Sequence, residues 1–190
     1  MKMFKIVVLS LLVTSFLLLR AQDVPPPNPS LNINIVSGQG IVFHFNEISH
    51  YTDGIMDAGQ STFIRVGSVS DWKLQFHAED NTFYGEINPM NQMELNNVGL
   101  TVISTGTNLD DGSNILNYAK LVPLALQQEE ITVLNKGTGS NRGWGIENSF
   151  ILNWEMGTKR GNMNNQSLLE QMIPPDSYTV SIILTLSIYP

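Results

Sequence analysis

Ser177-Tyr178-Thr179-Val180-Ser181-Ile182-Ile183-Leu184-Thr185-Leu186-Ser187-Ile188-Tyr189 is the stretch that decides the fold. Tyr178, Val180, Ile182, Leu184, Leu186 and Ile188 fall on one parity, and Thr179, Ser181, Thr185 and Ser187 on the other. Successive side chains of a strand point to opposite faces, so a period of two marks a half-buried strand. At about 3.3 Å per residue, such a segment crosses a whole sheet.

The same period recurs upstream. Trp72, Leu74, Phe76 and Ala78 alternate with Lys73, Gln75 and His77, and Phe150, Leu152, Trp154 and Met156 with Ile151, Asn153 and Glu155. Leu31, Ile33 and Ile35 alternate with Asn32 and Asn34; Ile41, Phe43 and Phe45 alternate with Val42, His44 and Asn46. Ser37-Gly38-Gln39-Gly40 between them is a turn, so 31–46 reads as a hairpin or a switch between sheets. Further strands are read around Thr62, Ile64 and Val66, at 83–85, over 95–104 and over 130–134. Helical signal is confined to 115–128, interrupted by Pro123, and to 164–172, with Asn165 as N-cap and Pro174 as stop. About eight strands with Gly, Asn and Asp turns predict an all-β chain, one antiparallel sandwich over 31–190. A closed barrel is the alternative. The long loops and Asn/Thr/Ser-rich outward faces do not match the repeated lipid-facing girdle of a membrane barrel. The expected core is Trp72, Leu74, Phe76, Phe150, Leu152, Trp154, Val180, Ile182 and Leu184.

The 190 residues carry 10 Lys+Arg against 17 Asp+Glu, a net charge of -7, and no cysteine. Scarce basic residues argue against nucleic acid, since phosphate contacts need clustered Lys and Arg. Without cysteine there is no disulfide framework and no thiolate chemistry. Met1–Ala21 reads as a signal peptide: Lys2 and Lys5 precede the apolar run from Ile6 to Leu19, about 14 residues, too short for a bilayer span. Cleavage after Ala21 removes Lys2, Lys5 and Arg20, leaving 7 basic against 17 acidic residues, about -10. Residues 22–30, with Pro25, Pro26, Pro27 and Pro29, read as an extended linker. The expected location is exported: periplasm, cell surface or extracellular space.

Candidate chemistry is sparse. His44, His50 and His77 follow no zinc spacing, and a site joining His44 and His77 to Glu47, Asp53 or Glu79 requires their strands to pair. Asp110-Asp111-Gly112-Ser113-Asn114 and Asp53-Gly54 with Asp57 are oxygen-rich turns without the spacing of a helix-loop-helix calcium loop. Gly137–Gly145 is glycine-rich but leads into a strand, so it reads as a flexible inter-strand loop and not a phosphate cradle. Arg142 and Trp144 at its tip are the candidate contact residues for a ligand or partner. No Gly-x-Ser-x-Gly elbow or His-Glu-x-x-His motif occurs, and Glu129-Glu130 and Glu147 with Glu155 are only nominal carboxylate pairs. No catalytic residue, cofactor or metal is expected.

Ile173-Pro174-Pro175-Asp176-Ser177-Tyr178-Thr179-Val180, continuing to Ser187, resembles the closing pattern of exported bacterial immunoglobulin-like envelope domains of the spore-coat-U/Csu-type pilin kind. There a turn with a small residue precedes Tyr-Thr, and a Thr-rich final strand follows. The resemblance covers roughly the last 40 residues; Ser177 stands where the family usually has Gly, and the family's frequent cysteine pair has no counterpart. It implies an immunoglobulin-like sandwich with a structural or adhesive role, working through contacts with envelope or surface proteins, including copies of itself. The alternative is a carbohydrate-binding sandwich stacking sugars on Trp144, Trp154, Tyr51 or Tyr84. Trp72 and Trp154 lie on apolar faces, which leaves Trp144 as the free indole.

Overall fold

The computed structural model describes residues 31–107, 121–137 and 139–190, with the side chains of residues 57 and 58 left aside. The expected signal peptide and linker, the Asp110–Asn114 stretch and positions 115–120 lie outside the described residues. The chain is all-β in antiparallel sheets. The strands are β1 (Leu31–Ser37), β2 (Ile55–Ser68), β3 (Trp72–Ala78), β4 (Phe83–Gly85), β5 (Gln92–Met93), β6 (Val98–Ser104), β7 (Leu124–Ala125), β8 (Ile131–Asn135), β9 (Ser149–Met156), β10 (Tyr178–Thr179) and β11 (Ile182–Ile188). They form a five-stranded sheet, β1-β2-β9-β6-β7, a three-stranded sheet, β11-β3-β8, and a small sheet, β10-β4-β5. Among the described residues the count exceeds the expected eight because β5, β7 and β10 are two-residue pairings.

The core is built by the alternation. Trp72, Leu74, Phe76 and Ala78 are fully buried on β3, as are Ile64 and Val66 on β2, Phe150 and Leu152 on β9, and Leu100 and Val102 on β6. The two larger sheets therefore meet face to face in a sandwich-like arrangement. Trp72 meets Phe150 edge-on at 5.9 Å between centroids, and Phe76 meets Trp154 at 6.2 Å. Each large apolar side chain so buried contributes about 1.5–3 kcal/mol.

Three expectations about strands change. Segment 31–46 is not a hairpin: β1 pairs with β2, from Leu31 opposite Ser68 to Ser37 opposite Phe63. The C-terminal segment is not one long strand. Tyr178 and Thr179 pair with β4, and the chain then changes sheet, so that Ile182–Ile188 runs beside β3 with Leu184 opposite Phe76. The inward parity survives the break, with Tyr178, Val180, Ile182, Leu184 and Leu186 half-buried against the core and not at its centre, while Ile188, expected on the same face, is exposed at the sheet's end. Residues 95–97 form a 3-10 turn before β6.

Helical content is small. An unanticipated five-residue helix, α1, spans Ile48–Thr52. Of segment 115–128, the described part holds β7 and no helix. Segment 164–172 makes one turn capped by Ser167 and not by Asn165: the Glu170 carboxylate accepts from the Ser167 N–H and hydroxyl, while the Glu170 N–H donates to Ser167 Oγ. Ser with an acid three residues on is the reciprocal capping box.

Candidate functional site

Two surfaces follow from this topology. The first is a cleft where the sandwich opens beside residues 41–46. Their burial alternates with the period of extended chain, Ile41, Phe43 and Phe45 packed against the core and Val42, His44 and Asn46 outward, yet they belong to no ladder. Among the described residues, the Val42 N–H donates to Gln60 Oε1 at 2.9 Å and the Phe45 carbonyl accepts from the Tyr51 hydroxyl at 3.1 Å. Between this segment and Tyr178, Val180 and Ile182 lies a cavity of about 600 Å³, with Trp154 and Met156 in its lining.

Asp176 holds the rim of that cleft. Its carboxylate accepts from the Ile87 N–H at 2.9 Å, the Asn88 N–H at 3.1 Å and Asn91 Nδ2 at 2.9 Å, tying the β4–β5 turn to the chain just before β10. These hydrogen bonds, the Ile87 N–H first, hold its pKa below the usual carboxylate value. Beside it, burial and the Asp176 charge push the Tyr178 hydroxyl up, while that hydroxyl donates to the Pro174 carbonyl at 2.7 Å. A lowered carboxylate pKa stabilises the fold above the unfolded value of about 3.9, and that stabilisation disappears as pH falls through the folded value. Amide exchange at Ile87 and Asn88 is therefore expected to accelerate, beyond its intrinsic pH dependence, as pH is lowered below about 4. Asp176→Asn should show the faster exchange already at neutral pH. Identical protection in the two proteins at every pH would remove Asp176 as the tie.

The second surface is the end of the molecule that carries Trp144. The Gly137–Gly145 loop runs from β8 to β9 as expected, but its described residues are anchored by a buried asparagine. The Asn141 side chain accepts from the Trp72 N–H at 3.0 Å and donates to the Trp72 carbonyl at 2.9 Å. The Asn141 carbonyl takes the Trp72 indole N–H and Asn148 Nδ2. Asn141 and Asn148 are fully buried, so these bonds form where an unmade one would be costly. Arg142 turns to Asp71, with Nε 3.5 Å from Oδ1, and Lys136 approaches the same carboxylate at 3.6 Å. Burial alone would raise the Asp71 pKa; hydrogen bonds from Ser140 and the Asn141 N–H, with the two cations, outweigh it and hold it below the usual value.

Trp144 lies over β2. A Cβ built on Gly67 would come within 2.8 Å of Trp144 Cε3, so the indole fills the place of the missing side chain, while the residue stays 37% exposed. Sequence reasoning missed this seat, although a glycine inside a strand signals close approach of another group.

The remaining candidates do not converge. Trp154 is buried, and its indole N–H donates to Thr62 Oγ1. Tyr51 bonds the Phe45 carbonyl, and Tyr84 bonds Asn81. His44 lies in the unladdered segment, His50 is edge-on to Phe45 in α1, and His77 stands opposite Ile183. Among the described residues no group of three or more His, Asp or Glu is placed to hold a metal. Glu147 accepts the Trp144 N–H and Glu155 pairs with Arg160, so each carboxylate is engaged separately. Ser70-Asp71-Trp72-Lys73 has Ser-x-x-Lys spacing, but the catalytic pair needs one helical turn; here Ser70 lies in the bend after β2 and Lys73 belongs to β3. No protein-family model and no curated protein matches the chain.

Proposed function

We propose that the protein is an exported, non-catalytic structural or adhesive component of a bacterial envelope or surface appendage, built as an immunoglobulin-like sandwich and acting through protein–protein contacts. The observation that carries this reading is residues 41–46: extended chain, alternating burial and no ladder. Unpaired extended backbone is a template for an added strand from another chain, which supplies main-chain hydrogen bonds while side-chain pockets give selectivity. The adjoining cleft offers apolar walls for alternate side chains of such a strand. Export rests on the charged start and short apolar run of Met1–Ala21.

The test is a photocrosslinking residue at exposed Val42, with one at exposed Glu129 as control, in cells fractionated by compartment. The expected result is a mature chain beginning at Gln22 outside the cytoplasm, with an adduct from Val42 and none from Glu129. The crosslinked partner should be an envelope protein or a second copy of the chain. A full-length chain retained in the cytoplasm, or no adduct from Val42, would overturn the reading.

A further inference from the structure

The outward face of the five-stranded sheet carries a second arrangement, independent of the cleft. Along β2 the outward positions are Ser61, Phe63, Arg65 and Gly67, alternating with inward Thr62, Ile64 and Val66. Trp144 occupies the Gly67 place. The Arg65 stem packs beside Gly145, where a built Cβ would lie 3.2 Å from Cδ, and its guanidinium stands 5.2 Å from the centre of the Phe63 ring. Indole, guanidinium and phenyl thus follow one another along one strand, over about 13 Å at 3.3 Å per residue.

The indole is held in place before any ligand arrives. The Trp144 N–H donates to Glu147 Oε2, its carbonyl accepts from the Glu147 and Asn148 N–H groups, and Gly143 pairs with Ser68 on β2. A flat apolar ring fixed with part of its surface in water is a stacking platform held at low entropic cost. Polar groups flank the strip. Asn32 and Asn34 on β1 stand opposite Gly67 and Arg65, and Ser61, Asn153 and Thr101 form one cross-strand row. Beside Phe63 the face sinks into a depression of about 820 Å³ that also contains Ile103 and Ile151. Arg65 has no carboxylate partner among the described residues, in a chain of net charge -7.

We propose that this face binds an extended, carboxylate-bearing polysaccharide, with a sugar ring stacked on Trp144, hydroxyls on the asparagine amides and a uronate on the Arg65 guanidinium that lies over Phe63. Rings plus amides suit the two sides of a sugar, its C–H face and its hydroxyl edge. The arginine, which has no carboxylate partner among the described residues, selects the anionic kind, since a guanidinium matches carboxylate geometry.

The test is affinity electrophoresis and tryptophan fluorescence of the mature secreted protein, with polygalacturonate as the anionic probe and dextran as the neutral one. Polygalacturonate should retard the protein and shift its fluorescence, and salt should weaken the effect. Trp144→Ala should bind at least about tenfold more weakly, with Trp144→Phe intermediate; Arg65→Gln should erase the preference over dextran. The thermal midpoint of each variant confirms that it is folded. No retardation by polygalacturonate, or unchanged binding in folded Trp144→Ala and Arg65→Gln, would overturn the proposal, and equal binding to dextran would overturn its anionic part. Crosslinking from Val42 reads another face, so either proposal can fail alone.

Discussion

Arg160→Ala is expected to lower the unfolding free energy by about 3 kcal/mol, far more than removal of an ordinary surface arginine. Its partner, Glu155, is 3% exposed on β9, between Met56 of β2 and Gly99 of β6. Arg160 Nη1 meets Glu155 Oε2 at 2.7 Å, and Nη2 donates to the Leu121 carbonyl at 2.8 Å. The other carboxylate oxygen has no hydrogen-bond partner among the described residues. Deleting the guanidinium therefore strands a buried charge, which costs several times what an exposed pair contributes. The Arg160 side chain is 40% exposed, so water entering the gap keeps the loss toward the low end.

Urea unfolding checks this through the midpoint at constant slope. Glu155→Met combined with Arg160→Met should recover most of the loss, because an apolar pair of similar volume removes both the charge and its desolvation cost. Arg160→Ala with wild-type stability would mean that the carboxylate is solvated.

Glu155 also marks where the sequence stops being readable. Alternation from Phe150 to Met156 places it outward, and an outward acid reads as solvated. It is buried beside Met56, its partner on β2, and Arg160 of the following loop, whose Nη1 reaches both Glu155 Oε2 and Met56 Sδ, two neighbours chosen by tertiary structure. The same division runs through the fold. Strand existence was legible because burial imposes a period of two on each segment separately, as in Trp72–Ala78. Strand partnership was not. Residues 31–37 and 41–46 have the same pattern, yet one enters the five-stranded sheet and the other makes no ladder. The break at 180–181 was hidden because the inward parity continues unbroken across it. In the site, Trp144 and Arg142 could be picked out as residue types, but not their divergence. Arg142 turns to Asp71, whereas Trp144 joins Arg65 and Phe63 because Gly67 leaves room for the ring.

Trp154→Ala is the other large effect, about 3–5 kcal/mol. The side chain is 4% exposed, so truncation leaves a cavity that its neighbours on two different sheets cannot jointly collapse into. One of them, Phe76, loses an edge-on ring contact. The indole N–H also begins a short relay: it donates to Thr62 Oγ1 at 3.0 Å, and the Thr62 hydroxyl donates to the Gly38 carbonyl at 2.6 Å. That relay runs from the core to the turn leaving β1, so the variant should loosen the start of segment 41–46 as well as lower global stability. Amide exchange separates the two effects. A uniform rise in exchange reports global destabilisation alone, while an added local rise at Gln39–Val42 reports the broken relay. Trp144→Ala provides the contrast. Its ring is partly in water and its loop is fixed by backbone and asparagine contacts, so the expected loss is about 1 kcal/mol or less. Equal losses in the two variants would mean that the indole over Gly67 is structural in the same sense as the one against Phe76, and the reason for treating Trp144 as a platform would disappear.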